Sequence, residues 1–236
     1  MAESKRISGK TLGALAMPDF CPRCFWIQTR VKQLPYQIFP GIFSSIDSYV
    51  KKVVHGWFDR HGKPPSWLVA LGDIRGYEPP PHHSKFNTFD GETQILLTGD
   101  PDGVLIRNDG SRVIIDYKTA KFTAHQDGLF PMYEAQLNAY AHIGTRAWKE
   151  PISGLALVYT EPMTDEETAA DYANALEDGF RMPFSAHIVN VERRPELVSH
   201  LLRRAREMLD LDTPPASLTG CPDCEKLASL ISTASG

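Results

Sequence analysis

Two CxxC pairs set the first constraint on this chain. Cys21-Pro22-Arg23-Cys24 and Cys221-Pro222-Asp223-Cys224 hold its four cysteines, matched in form and near opposite ends of 236 residues. Four cysteines are too few for a disulfide scaffold at this length, whereas two CxxC pairs supply the four thiolates of one tetrahedral site. Such a site stitches the C-terminal segment onto the N-terminal one. A thioredoxin-like redox role would need a βαβ context that the flanking residues lack. The expected fold is therefore one whose ends meet at a metal.

The rest of the composition fits a single domain with a full core: 42% of residues are hydrophobic and 23% charged. Lys and Arg total 25 against 29 Asp and Glu, a formal charge of -4, which excludes a histone-like or tail-driven nucleic-acid binder and leaves room for a local basic groove. No run of 18 apolar residues occurs and the first residues, MAESKRISGK, lack the apolar stretch of a signal peptide, so the expectation is a cytoplasmic protein without a membrane partner. Residues 1–18 read as a flexible polar lead and 19–236 as one domain.

Apolar residues recur at helical spacing from Ile46 through Val50, Val53, Val54, Trp57 and Phe58 until His61-Gly62, which predicts a helix. Residues Ile74 to Asp90, with Pro79-Pro80-Pro81, carry no period and read as a long surface loop. Strands are expected at Thr93–Leu97, Gly103–Arg107 and Arg112–Tyr117, the last two joined by a tight turn at Asn108-Asp109-Gly110-Ser111. A helix over Tyr133–Lys149, a buried strand over Gly154–Thr160, a solvated acidic helix within Thr164–Asp178, a strand over Phe184–Val191 and an amphipathic helix over Pro195–Asp210 complete the reading.

Chemistry concentrates in two segments, Gly99-Asp100-Pro101-Asp102-Gly103 and Ile114-Ile115-Asp116-Tyr117-Lys118-Thr119. In a strand, residues two apart share a face, so Asp116 and Lys118 project together while Ile115 and Tyr117 point the other way. Asp102, brought in by the neighbouring strand, would complete an oxygen site for Mg²⁺ or Mn²⁺. Asp100, two residues earlier on the same face, competes for that place; its alternative role is turn capping.

The motif order resembles the PD-(D/E)XK nuclease superfamily, and within it the RecB-like branch that includes the CRISPR-associated RecB-type exonucleases. Gly99-x-x-Asp102 resembles the second acidic motif, Asp116-Tyr117-Lys118 the third, and Gln136-x-x-x-Tyr140 the motif that follows on a helix, while His55 resembles the N-terminal metal-binding histidine. The resemblance implies an α/β restriction-endonuclease-like core, a mixed central sheet flanked by helices. It implies His55, Asp102, Asp116 and the Tyr117 carbonyl as ligands of the divalent ion, Lys118 as the catalytic lysine, and Gln136 and Tyr140 as residues that hold the substrate backbone or order Lys118. The cysteines resemble those that hold a four-iron iron-sulfur cluster in this branch, and the resemblance favours that cluster here; the family pattern has one cysteine upstream and three downstream, and since the two-plus-two spacing is equally good for zinc, structural zinc is the alternative.

The activity so implied is metal-dependent hydrolysis of DNA phosphodiesters, by an exonuclease acting on single strands or DNA ends in repair, recombination, CRISPR or phage DNA processing, with a helicase or recombination protein as partner. The alternative is a catalytically silent nuclease-fold module that binds DNA ends or a partner protein. Taken alone, His55 lies on the far side of its helix from the apolar stripe, solvated or facing a cleft; Tyr140 and Gln136 read as a core and a surface residue. Lys121, Arg23, Arg30 and Lys32 are candidates for phosphate contacts. Phe25 and Trp26 suit core packing before base stacking, and His82, His83, His125 and His142 read as surface residues. Ser8-Gly9-Lys10-Thr11 ends like a phosphate-binding loop, but Ser4 stands where that motif needs glycine, so nucleotide hydrolysis is not encoded.

Overall fold

The structure, a computed structural model, describes residues 4–31, 40–123 and 128–235. It opens with strand β1 (Lys5–Ser8), the short helix α1 (Gly9–Gly13) with a following turn, and α2 (Pro22–Gln28), which begins at the first cysteine pair. Helix α3 (Gly41–His61) ends on Gly62, whose φ of +62° is the left-handed conformation that glycine adopts without a Cβ penalty. Then come β2 (Ile74–Glu78), β3 (Asn87–Asp90), β4 (Ile95–Thr98), β5 (Gly103–Arg107) and β6 (Arg112–Lys118). Helix α4 (Phe130–Ala147) leads to β7 (Ile152–Pro162), the one-turn α5 (Glu166–Ala170), the minimal hairpin of β8 (Ala175–Leu176) and β9 (Gly179–Phe180), then β10 (Phe184–Val191), α6 (Pro195–Leu209) and α7 (Pro222–Ser235).

The strands form a five-stranded mixed sheet in the order β10-β7-β6-β5-β2, parallel only between β6 and β7, and a three-stranded sheet in the order β1-β4-β3. Strand β6 is the pivot, because its two faces feed two separate apolar clusters. Ile114 packs with α1, α4 and α6 side chains such as Leu12, Leu137 and Leu201, whereas Val113, Ile115 and Tyr117 pack with Val54 and Phe58 of α3. Period-two alternation thus assigns Asp116 and Lys118 to the α4 side and Tyr117 to the α3 side. Among the described residues no helix is long and apolar enough to cross a membrane.

Three expectations need correction. Within the expected flexible lead of residues 1–18, the described residues 4–18 are part of the fold: β1 pairs in parallel with β4, and Ile7, Leu12 and Leu15 are buried. That pairing joins segments some ninety positions apart, which no local pattern announces. The segment 74–90 is not all loop, since β2 and β3 occupy its ends as sheet edges; edge strands that are only half covered show little alternation. The acidic stretch keeps a single helical turn, capped by Asp165, before it turns into the β8–β9 hairpin.

Candidate functional site

The β5–β6 hairpin pairs Gly103 with Ile115, so the next step outward sets Asp102 opposite Asp116. Asp102 turns one carboxylate oxygen onto the backbone N–H of Tyr117, 2.9 Å away, and the other onto the Lys51 ammonium of α3 at 2.7 Å. Lys51 also reaches Asp47, one turn back on α3, at 2.9 Å. Burial would lower the Lys51 ammonium, but its contacts with Asp102 and then Asp47 outweigh that and raise it. One cation therefore bridges two acids that belong to different elements.

Asp116 is 3% exposed. Burial first, and the neighbouring Asp102 carboxylate second, push its pKa up to about 6, against the pull of Lys118. Lys118 forms an ion pair with Asp116, and its ammonium also lies 3.9 Å from the centre of the Tyr133 ring. On α4, Gln136 and Tyr140 stand one turn apart on one face. The Gln136 amide donates to Asp116 Oδ1 at 3.2 Å and to the Tyr140 hydroxyl at 2.7 Å, so both of its N–H groups are spent on orienting the site. Burial and the Asp116 carboxylate raise the Tyr140 phenol, which stays neutral.

Asp102, Asp116, Tyr117, Lys118, Gln136 and Tyr140 all line one cleft of about 890 Å³. His55 does not. Its ring stacks on Tyr77 at 4.0 Å, two turns along α3 from Asp47, and burial lowers its pKa. His55 thus stands outside the cleft, whereas Asp47, eight residues earlier on the same stripe of α3, lines it. Asp47, Lys51 and the cleft-lining His83 and Lys10 are the residues that sequence reasoning missed. The signal for Asp47 and Lys51 was their four-residue spacing with His55; choosing by residue type rather than by stripe hid it. Asp100 also lines the cleft, exposed at its rim.

The basic candidates scatter. Arg23 donates to the carbonyl of Pro215, and Arg30 to those of Leu209 and Leu211, so both tie α2 to the segment before the second cysteine pair. Phe25 is buried in the core, and the Trp26 indole donates to the Leu211 carbonyl. Lys121 is exposed beyond β6, His142 is partly buried on α4 and lines a separate hollow, and Lys32 and His125 lie outside the described residues.

The second centre is formed by the cysteines. Their sulfurs all lie within 4.8 Å of one another, with Cys21 to Cys224 and Cys24 to Cys221 at 3.6 Å and Cys24 to Cys224 at 3.5 Å. Against the opposing effect of burial, the backbone N–H groups of Cys24 and Leu218 pull the Cys21 thiol down to about 6. Burial pushes Cys24 and Cys224 up. Cys21 and Cys221 are buried and no sulfur is engaged in a disulfide, so the quartet can hold a metal. Among the described residues this is the one group of three or more such side chains whose ligand atoms converge this tightly.

The chain thus combines a mixed sheet flanked by helices, acids at the ends of adjacent strands, a lysine two residues on, and a cysteine quartet that joins α2 to α7. Residues 48–228 match the family model of the PD-(D/E)XK nuclease superfamily, and the chain belongs to that superfamily. No curated protein matches it. The crystal structure of SSO0001 aligns with a TM-score of 0.43 at 14% identity, covering 91% of this chain and 80% of that one.

Proposed function

We propose that this chain is a metal-dependent deoxyribonuclease, RecB-like in its motif order, that acts in the cytoplasm on single strands or DNA ends. The observation that carries the reading is the joint placement of Asp102, Asp116 and Lys118 in one cleft, with Gln136 and Tyr140 braced beneath Asp116. The donor set suits a hard divalent cation: burial and then the neighbouring Asp102 carboxylate raise Asp116, and Asp47 adds a third carboxylate from α3. Asp102, Asp116 and Asp47, with the Tyr117 carbonyl, would hold Mg²⁺ or Mn²⁺, which supplies charge neutralisation at the phosphate and activation of water.

The chain's own residues do the rest. Gln136 fixes the rotation of the Asp116 carboxylate, and the neutral Tyr140 hydroxyl fixes Gln136. Lys118, held by Asp116 and Tyr133, presents a positive charge to the oxygens on which charge develops as the phosphodiester is attacked. Asp102 locks the strand between Asp116 and Lys118 through the Tyr117 N–H.

The cysteine quartet does no chemistry on the substrate in this reading; it clamps α7 to α2. Its sulfur separations of 3.5 and 3.6 Å favour a single zinc ion over a four-iron cluster. A tetrahedron of thiolates about 2.3 Å from zinc has edges of about 3.8 Å, whereas a cluster interposes an iron beside each sulfur and spreads them.

One observation favours the silent-module alternative. The Lys51 ammonium already neutralises Asp47 and Asp102. The deciding experiment is a time course of wild type and Asp116→Ala on single-stranded DNA labelled separately at each end, with Mn²⁺ and with EDTA. Degradation by wild type alone, only with Mn²⁺, is expected, and the order of label release gives polarity. Two inert proteins that both bind DNA would transfer the reading to the silent module.

A further inference from the structure

The cleft has an electrostatic problem. Its lining includes the acids Asp47, Asp100, Asp102 and Asp116, while the Lys51 and Lys118 ammonium groups beside them are engaged in ion pairs. A polyanion entering such a cleft needs cations that are not already spent. Two lining residues meet that condition, Arg6 and Lys10: both are exposed, and among the described residues neither side chain makes an ion pair or hydrogen bond.

The N-terminal segment holds these two cations in place. Along β1, Ile7 is buried in the core, so Arg6 and Ser8, on either side of it, face the cleft. The Ser8 hydroxyl accepts the Thr11 N–H at 3.1 Å, which fixes the turn that carries Lys10. Gly9 is pressed against α4 so closely that a Cβ there would lie 2.9 Å from the Tyr140 ring. Strand β1 also runs parallel to β4 with Ser8 opposite Thr98, so Lys10 and the Gly99-to-Asp102 turn leave the same end of the same sheet.

Resting on the nuclease reading and deepening it, we infer that Arg6 and Lys10 form the wall that grips the phosphates flanking the scissile one, so that the N-terminal segment seats the DNA strand across the acids. The segment is no nucleotide-binding loop; its lysine serves the polymer backbone. The two side chains act in substrate binding and take no part in the chemical step.

The test is fluorescence anisotropy of a labelled oligothymidylate, in EDTA, across a KCl series, together with Mn²⁺-dependent cleavage kinetics. Each phosphate contact on a single strand contributes about 0.7 to the slope of log affinity against log salt. Arg6→Ala/Lys10→Ala should lower that slope by about 1.4 and raise KM at least roughly tenfold, with kcat at saturation within about twofold. Arg6→Gln/Lys10→Gln, which keeps the side-chain stems, should behave alike, and Lys226→Ala on α7 should match wild type. An unchanged slope and KM in a folded double variant of a wild type that binds and cuts overturns this inference and leaves the nuclease standing. A wild type that neither binds nor cuts overturns both.

Discussion

The carboxylate of Asp102 accepts the backbone N–H of Tyr117 at 2.9 Å, so the acid that ends one strand buttresses the next strand between Asp116 and Lys118. Charge and support can be separated there. Asp102→Asn retains an acceptor for the Tyr117 N–H and should lose on the order of 100-fold or more in cleavage with little change in Tm. Asp102→Ala also strands that N–H and should cost a further 1–3 kcal/mol, about the penalty of an unmade hydrogen bond, in urea unfolding.

The two ends of the α3 stripe should behave differently. Asp47→Ala is expected to raise the Mn²⁺ concentration needed for half-maximal cleavage by about tenfold or more, the scale of losing one ligand or its support. His55→Gln should leave that concentration as it is, since His55 stacks on Tyr77 outside the cleft. A Mn²⁺ titration that shifted for His55 and not for Asp47 would reverse the assignment.

His55 should instead register in stability against pH. Burial lowers its folded-state pKa, so the fold favours the neutral ring. The resulting stability is present above the ordinary histidine pKa and is lost as pH falls through the folded value. Urea midpoints of wild type should therefore decline more steeply than those of His55→Gln between about pH 7 and pH 5.

At Gly99 the site and the core share one atom's worth of space. An added Cβ would lie 2.7 Å from the Phe86 ring and 2.9 Å from that of Tyr140. Gly99→Ala should cost about 1–3 kcal/mol by overpacking. By displacing Tyr140 and with it Gln136, it should also reduce kcat more than KM.

Purified protein should carry one zinc per chain and show no iron-sulfur absorption near 400 nm on anaerobic isolation. Cys221→Ser should lower Tm by on the order of 10 °C, because metal binding here is folding free energy. A stoichiometric iron content with a 400 nm band would return the site to the cluster.

Much of this molecule is written locally. The β5–β6 hairpin, β10 and α6 lie where the sequence pattern predicts, because β5 and β6 are apolar runs buried on both faces and closed by a tight turn, β10 pairs with the nearby β7, and α6 carries one buried stripe, Val198, Leu201, Leu202 and Ala205. The convergence of Asp102, Asp116, Lys118, Gln136 and Tyr140 also follows motif order. What could not be read is non-local. Arg6 and Lys10 join the cleft only because β1 pairs with β4, and on α3 it is Asp47 that lines the cleft while His55 stacks on Tyr77. A histidine is a conspicuous ligand and an aspartate on a polar helix face is not.

The alternation of β6 has an evolutionary corollary. The same period that keeps Val113, Ile115 and Tyr117 under α3 keeps Asp116 and Lys118 facing α4. Inserting or deleting one residue in the 108–111 turn would exchange the two sets, driving a carboxylate into hydrocarbon and apolar side chains into the cleft. Drift in this lineage should therefore spare the length of that turn while freely lengthening or trimming the exposed β8–β9 hairpin, which carries no buried residue.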